Sequence, residues 1–218
     1  MPDTEPTNAD RITLKGAYVH LEALDARHVP GLVEAASVER ATYGFTYVPE
    51  GRDAMEAYVA SAIRDRHEGR AVPFATVDAE TGNVVGTTRF ATFVYYAWPS
   101  GNPLQRGDHL PDDIEIGWTW LAADAQRSPI NTEAKLLMMM HAFESWRVHV
   151  VRLKTDARNE RSRSAILRLG AKFDGILRSH VPASDGLMRD LAYFSILDAE
   201  WPIVRAGLEQ KLQPLARK

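Results

Sequence analysis

With 218 residues the chain is long enough for one domain with a substantial core, and its 45% apolar and 25% charged shares are ordinary for a globular protein. It has no cysteine, which excludes a disulfide framework, thiolate metal ligands and an acyl-cysteine mechanism, and fits a reducing, cytoplasmic setting. A net charge of −3 argues against a broad nucleic-acid surface, although arginines gather between Arg152 and Arg168, and no stretch is apolar for long enough to span a bilayer.

Residues 1–10 are polar and acidic, a disordered tail without signal-peptide character. Ile12 to Leu24 alternates well enough for one or two short strands, and Arg27 to Ser37 and Asp53 to Glu68 carry helix-spaced apolar residues. Between those helices Ala41 to Pro49 is an aromatic turn holding Tyr43, Phe45 and Tyr47. Pro73 to Asp78 and Val84 to Trp98 read as strands joined by a hairpin turn at Thr81-Gly82-Asn83, and Pro99 to Asp113 as a long loop. Asp113 to Leu121 is a strand, and Asn131 to Trp146 a helix apolar around most of its circumference, hence buried on more than one side. Val150 to Lys154 is a strand, Glu160 to Leu169 a helix with Gly170 just past its end, and Ala199 to Leu212 a last helix. Phe173 to Val181 and Leu191 to Leu197 are strands joined through Ser184-Asp185-Gly186. No repeat or linker divides the chain, so residues 11–212 form a single mixed α/β domain and 213–218 a second tail.

Asp113 to Gly170 is the most informative stretch: strand, polar turn (Gln126 to Thr132), helix, strand, helix. It sets a helix start, with its free N–H groups, just beyond a buried strand, which is an anion site suited to a pyrophosphate. Five segments in this order resemble the GNAT N-acetyltransferases, in the branch that includes the ribosomal-protein N-terminal acetyltransferases. They are Glu115 to Leu121, Asn131 to Lys135, Asn159 to Ser162, Leu169 to Phe173, and Arg189-Asp190 leading into Tyr193 to Leu197, and the resemblance spans residues 11–203. It implies a single mixed, largely antiparallel sheet, splayed after the fourth strand and flanked by helices, with acetyl-CoA in the opening.

The resemblance assigns the diphosphate to a turn comprising Gln126, Arg127, Ser128, Ile130, Asn131 and Thr132 around Pro129. The two glycines usual in that turn are replaced here by Pro129 and Asn131. Proline removes a donor, yet it suits the first position of a helix and leaves the neighbouring amides in place. Ser128-Pro129 or Asn131 can equally be a plain helix cap. Trp120 and Leu121 are expected to offer main-chain groups to the pantetheine arm, Asn159 to contact it, and Ser162 to approach the sulfur; Asn159 is also an ideal cap. Arg161 or Arg163 are candidates for a further phosphate contact.

Lacking cysteine, the chain is expected to promote direct attack of a primary amine, of a small molecule or a peptide N-terminus, on the bound thioester. An α-amine is about a tenth neutral at pH 7 and a lysine amine only about four parts in ten thousand, so a weak base suffices for the first. Glu115 and His180 are the base candidates, Tyr193 a third proton-transfer group, and Ser162 a donor to the departing thiol. His141 reads as a core histidine with its hydrogen bonds met. Tyr43 and Phe45, with Tyr96 and Trp98, are expected to line the acceptor pocket, and the Pro99–Asp113 insert to act as a lid or a homodimer contact. The seven histidines show no metal-ligand spacing, and no P-loop or GxGxxG turn is present, so no metal is expected. A non-catalytic acyl-CoA-binding or regulatory module is the alternative reading.

Overall fold

Alternating apolar and polar residues set the strands, and three of the helices begin with Pro in the first turn. In the computed structural model, which describes residues 12–106, 110–182 and 186–213, the elements run β1 (Leu14–Lys15), β2 (Val19–Ala23), α1 (Val29–Ser37), α2 (Gly51–His67), β3 (Ala71–Asp78), β4 (Val84–Val94), β5 (Asp113–Leu121), α3 (Pro129–Met140), β6 (Val150–Asp156), α4 (Glu160–Arg168), β7 (Lys172–Pro182), β8 (Met188–Leu197) and α5 (Trp201–Leu212). The expected N-terminal tail, residues 214–218 of the second tail, and Ser184 and Asp185 of the expected turn lie outside the described residues.

The strands form one sheet in the order β1-β2-β3-β4-β5-β6-β8-β7. Neighbours are antiparallel except β5 and β6, which run parallel. Thr88 of β4 meets Lys135 and Met138 of α3, whereas its neighbour Arg89 reaches Asp65 of α2. Thus α3 and α2 cover opposite faces, as the period of two along β4 requires. α5 is fastened to the α3 side by Trp201, which stacks on Phe143 at 5.2 Å and donates Nε1 to Glu144 at 3.0 Å.

The expected elements are present, with differences of detail. The first alternating stretch forms two short strands, one of the two expected outcomes, and counted from β1 the sheet parts after its fifth strand. β4 ends at Val94 rather than Trp98, because Asp112 takes the Tyr96 amide at 2.7 Å and the Trp98 indole at 2.8 Å and draws the chain off the sheet. α3 starts two residues early, at Pro129, and continues past Met140 as a widened turn, His141–Ser145. In that turn the His141 ring packs on Trp146 and Phe90, at 4.6 and 6.1 Å, and its buried Nε2 meets no hydrogen-bond partner. Its expected hydrogen bonds are therefore not all made: aromatic neighbours offer none, and burial holds the imidazole below its ordinary pKa.

Candidate active site

The site begins where β5 leaves β6. The two strands pair only at Asp113–Val150, Ile114–Val151 and Glu115–Arg152, although both continue for several residues. β5 keeps its ladder with β4 as far as Leu121, through a bulge in which Trp118 takes φ +49°. A tryptophan in the left-handed region is unusual. Beyond Glu115 the β6-facing edge of β5 is thus left without a strand partner, a slot for an extended ligand arm.

At the far end of β5 the chain turns into α3. Ser128 caps the helix, its Oγ accepting from Ile130 N at 3.3 Å and donating to Ala125 O at 2.7 Å, and Pro129 follows at the first helical position. Arg127 takes φ +61°, so the turn achieves a left-handed residue without glycine. Among the described residues the amides of Arg127, Ser128 and Asn131 make no hydrogen bond. They remain available at the positive end of the α3 dipole. Buried Asn131 Oδ1 is likewise unpartnered, while Gln126 spends its amide nitrogen on Leu121 O (3.0 Å) and Thr42 Oγ1 (3.2 Å).

Across the parting, Asp156 grips the Arg158 guanidinium with both oxygens, at 3.0 and 2.8 Å, and shapes the entry to α4. That ion pair holds the Asp156 carboxyl below the usual range. Asn159 caps the helix by accepting Ser162 N at 3.0 Å, and Ser162 sits half-buried one turn in. Arg161 donates to Thr42 O, and Arg163 to Ala157 O at 3.2 Å, so both proposed phosphate contacts already have main-chain partners. Thr42 therefore touches both walls of the parting, and the aromatic turn bridges its mouth. Phe45 there lies 4.9 Å from the Arg158 guanidinium, and buried Tyr43 donates to Ala35 O and meets Trp120 edge-on at 6.0 Å. Trp120 Nε1 is buried without a partner.

On the α2 side of the sheet the polar side chains line up across strands. Glu115, whose side chain is 5% exposed, pairs with Lys154 Nζ of β6 at 2.8 Å. A Cβ on Gly117 would stand 3.0 Å from the Glu115 carboxylate, so glycine keeps that space open. Lys154 lies 5.8 Å from the Tyr193 ring of β8, whose Oη is 3.1 Å from His180 Nε2 of β7. A bulge with Ser179 at φ +50° re-aims His180 toward Tyr193. The two base candidates thus stand at opposite ends of one row: carboxylate, ammonium, phenol, imidazole. Trp118 is 47% exposed beside this row, with the Arg89 guanidinium 4.9 Å and Lys154 5.9 Å from its ring centre. An open cleft of about 450 Å³ continues from it between Asp65, Arg70, Arg89, Phe93 and Tyr95.

Tyr96 and Trp98 are not brought to Tyr43 and Phe45. Tyr96 Oη reaches Asp113 at 3.3 Å and Trp98 reaches Asp112, at the opposite end of β5 from the parting. Sequence reasoning missed Lys154, Lys135, Arg89 and Trp118. Lys135 alone carried a signal, a charge inside an otherwise apolar helical run.

Known proteins share this fold. Residues 19–172 match the family model described as the acetyltransferase (GNAT) domain. YdaF of Bacillus subtilis, provisionally named a ribosomal N-acetyltransferase, is 31% identical over 98 residues, which are 45% of this chain and 52% of YdaF. The chain thus spans about half the length of that curated relative. A GCN5-related N-acetyltransferase from Brucella melitensis superposes with TM-score 0.78 at 29% identity, covering 98% of this chain and 91% of its own. RimJ of Mycobacterium smegmatis, solved in complex with CoA-disulfide, has TM-score 0.76 at 17% identity over 93% of this chain and 96% of its own, a likeness of fold. A domain match over most of the chain, on a sheet that parts beside an open helix start, makes this protein a member of the GNAT acetyltransferase family.

Proposed function

We propose that the protein transfers the acetyl group of acetyl-CoA to a primary amine, by direct attack of the amine on the thioester. The observation that carries this reading is the parting of β5 from β6 next to the unbonded amides of Arg127, Ser128 and Asn131. These residues fit the co-substrate despite the missing glycines: Pro129 occupies the one position where its lost N–H matters least, and Arg127 supplies the left-handed turn. Trp120 and Leu121 border the slot for the pantetheine arm, with Asn159 and Ser162 on its other wall. Bound acetyl-CoA would supply an activated acyl group whose thiol leaves readily.

The chain's own residues then orient the amine and take its proton. Glu115 is the base, acting directly or through water, and Lys154 holds its carboxylate in one position. Tyr193 and His180 continue the row toward the surface and conduct the proton outward. Ser162 donates toward the departing sulfur. The cleft beside Trp118 receives the group that bears the amine. A peptide N-terminus suits this site better than a lysine side chain, because about a tenth of an α-amine is already neutral at pH 7, against about four parts in ten thousand of a lysine amine. The name of YdaF points the same way.

The test is calorimetric titration with acetyl-CoA, followed by thiol release with a panel of amines and N-terminal peptides. Glu115→Gln and His180→Gln should lose about 100-fold or more in kcat with acetyl-CoA affinity unchanged. Normal rates in both would remove the acid/base assignment. Binding without thiol release on any amine would leave a non-catalytic acyl-CoA-binding module.

A further inference from the structure

Lys135 lies on the sheet-facing side of α3 and is 4% exposed. Its Nζ donates to Thr88 Oγ1 at 2.8 Å and to Thr119 Oγ1 at 2.7 Å, and these two hydroxyls are 2.9 Å apart. Thr119 directly follows Trp118 in the bulge of β5, and Thr88 is the β4 residue that the bulge leaves without a ladder partner. The Lys135 amine therefore clasps the bulge from the α3 side. Among the described residues no carboxylate stands within ion-pair distance of it. Glu133 of α3 is spent on the amides of Ala17, Tyr18 and Val19; Arg89 of β4 and Glu115 of β5 face the opposite side of the sheet; the Met138 sulfur lies 3.7 Å from Thr88 Oγ1. His141, further along α3, is turned to Phe90 and Trp146.

A buried cation without an anion is costly unless something else compensates it. The Ser128 cap of α3 lies seven residues back from Lys135, about 10 Å at the helical rise. We propose that Lys135 is a positioning residue for the acyl donor: it fixes the bulge of β5 against α3 through Thr88 and Thr119, and it takes up a proton when the donor's diphosphate settles at the α3 start. This rests on the acetyl-CoA reading above. Burial pushes the Lys135 amine down to about 7, so above that pH the free protein carries it mostly neutral. A diphosphate at the helix start favours the charged form, so donor binding draws in a proton and weakens as pH rises from 7.

The experiment is titration calorimetry of acetyl-CoA at pH 8 in two buffers of different ionisation enthalpy, with wild type, Lys135→Met and Lys135→Gln. Wild type should take up about half a proton or more beyond the value for either variant, and its Kd should rise several-fold between pH 7 and 8.5 while theirs stays flat. Gln still donates to a threonine hydroxyl, so at pH 8.5 it should bind about as well as wild type, with Met several-fold weaker. Equal proton uptake in all three proteins would overturn the proposal while leaving the acetyl-CoA reading intact. Absence of any binding by wild type would overturn both.

Discussion

The carboxylate of Glu133 offers a direct test of how the helix that opens the site is held in place. It accepts three main-chain amides from the turn between β1 and β2: Ala17 N at 2.9 Å on Oε1, and Tyr18 N and Val19 N at 2.6 and 2.9 Å on Oε2. In Glu133→Gln the retained oxygen can keep the pair at Oε2. The new amide group then faces the Ala17 N–H, donor against donor. One bond is lost, one amide is stranded, and two bonds lose their charge assistance. At about 1.5–3 kcal/mol for a bond to a charged group, partly retained, the expected cost is about 2–3 kcal/mol. For a domain of this size that is a fall in Tm of roughly 4–12 °C. Differential scanning calorimetry with a parallel urea titration would measure it. Gly16→Ala should fall similarly, because its Cβ would stand 2.3 Å from the Glu133 carboxyl carbon. A drop below about 2 °C in both variants would refute the idea that these three bonds anchor α3.

Three further outcomes follow from other contacts. Lys135 titrates at about 7 when folded against 10.5 as an ordinary lysine, so between those values the unfolded chain holds the extra proton and rising pH favours the fold; below 7 the penalty is constant. Urea midpoints should therefore show wild type gaining about 2 kcal/mol on Lys135→Met between pH 7 and 9, and parallel pH curves would contradict this. Asp112→Asn should loosen the stretch from Tyr95 to Arg106, seen as faster limited proteolysis there with acetyl-CoA binding unchanged; cleavage at the wild-type rate would argue that Asp112 does not secure it. Trp201→Ala should cost about 3–5 kcal/mol in urea unfolding by emptying the space against Phe143, and a loss under 1 kcal/mol would mean that α5 is held by other contacts.

The framework of this protein could be read from its residues because the relevant patterns are local. Asp113 to Leu121 alternates, and β5 has those bounds; Gly170 was expected past a helix end and takes φ +99° beyond α4. What sequence could not give is set by partners far along the chain. Nothing near Glu115 marks Lys154 as its counter-ion, since that depends on the register of β5 against β6. Nothing in Tyr96 or Trp98 shows that Asp112 and Asp113 hold them at the far end of β5 from the parting. The bulge at Trp118 runs against the preference of a bulky residue, so only the surrounding structure, Lys135 included, can enforce it. Pro129 and Asn131 stand where the family turn has glycines; Pro129 takes the first helical position, and the left-handed residue of the turn is Arg127.

The join between β5 and β6 is three residue pairs long. Those rungs are the whole of the strand pairing between the two flanks among the described residues, so anything seated in the opening beyond them also acts as a brace. An acetyl-CoA bound there would stiffen the framework that binds it. On the proposed reading, each departure of spent coenzyme would then leave the molecule briefly softer than before, and refilling the gap would be a step in maintaining the fold as well as in supplying the reaction.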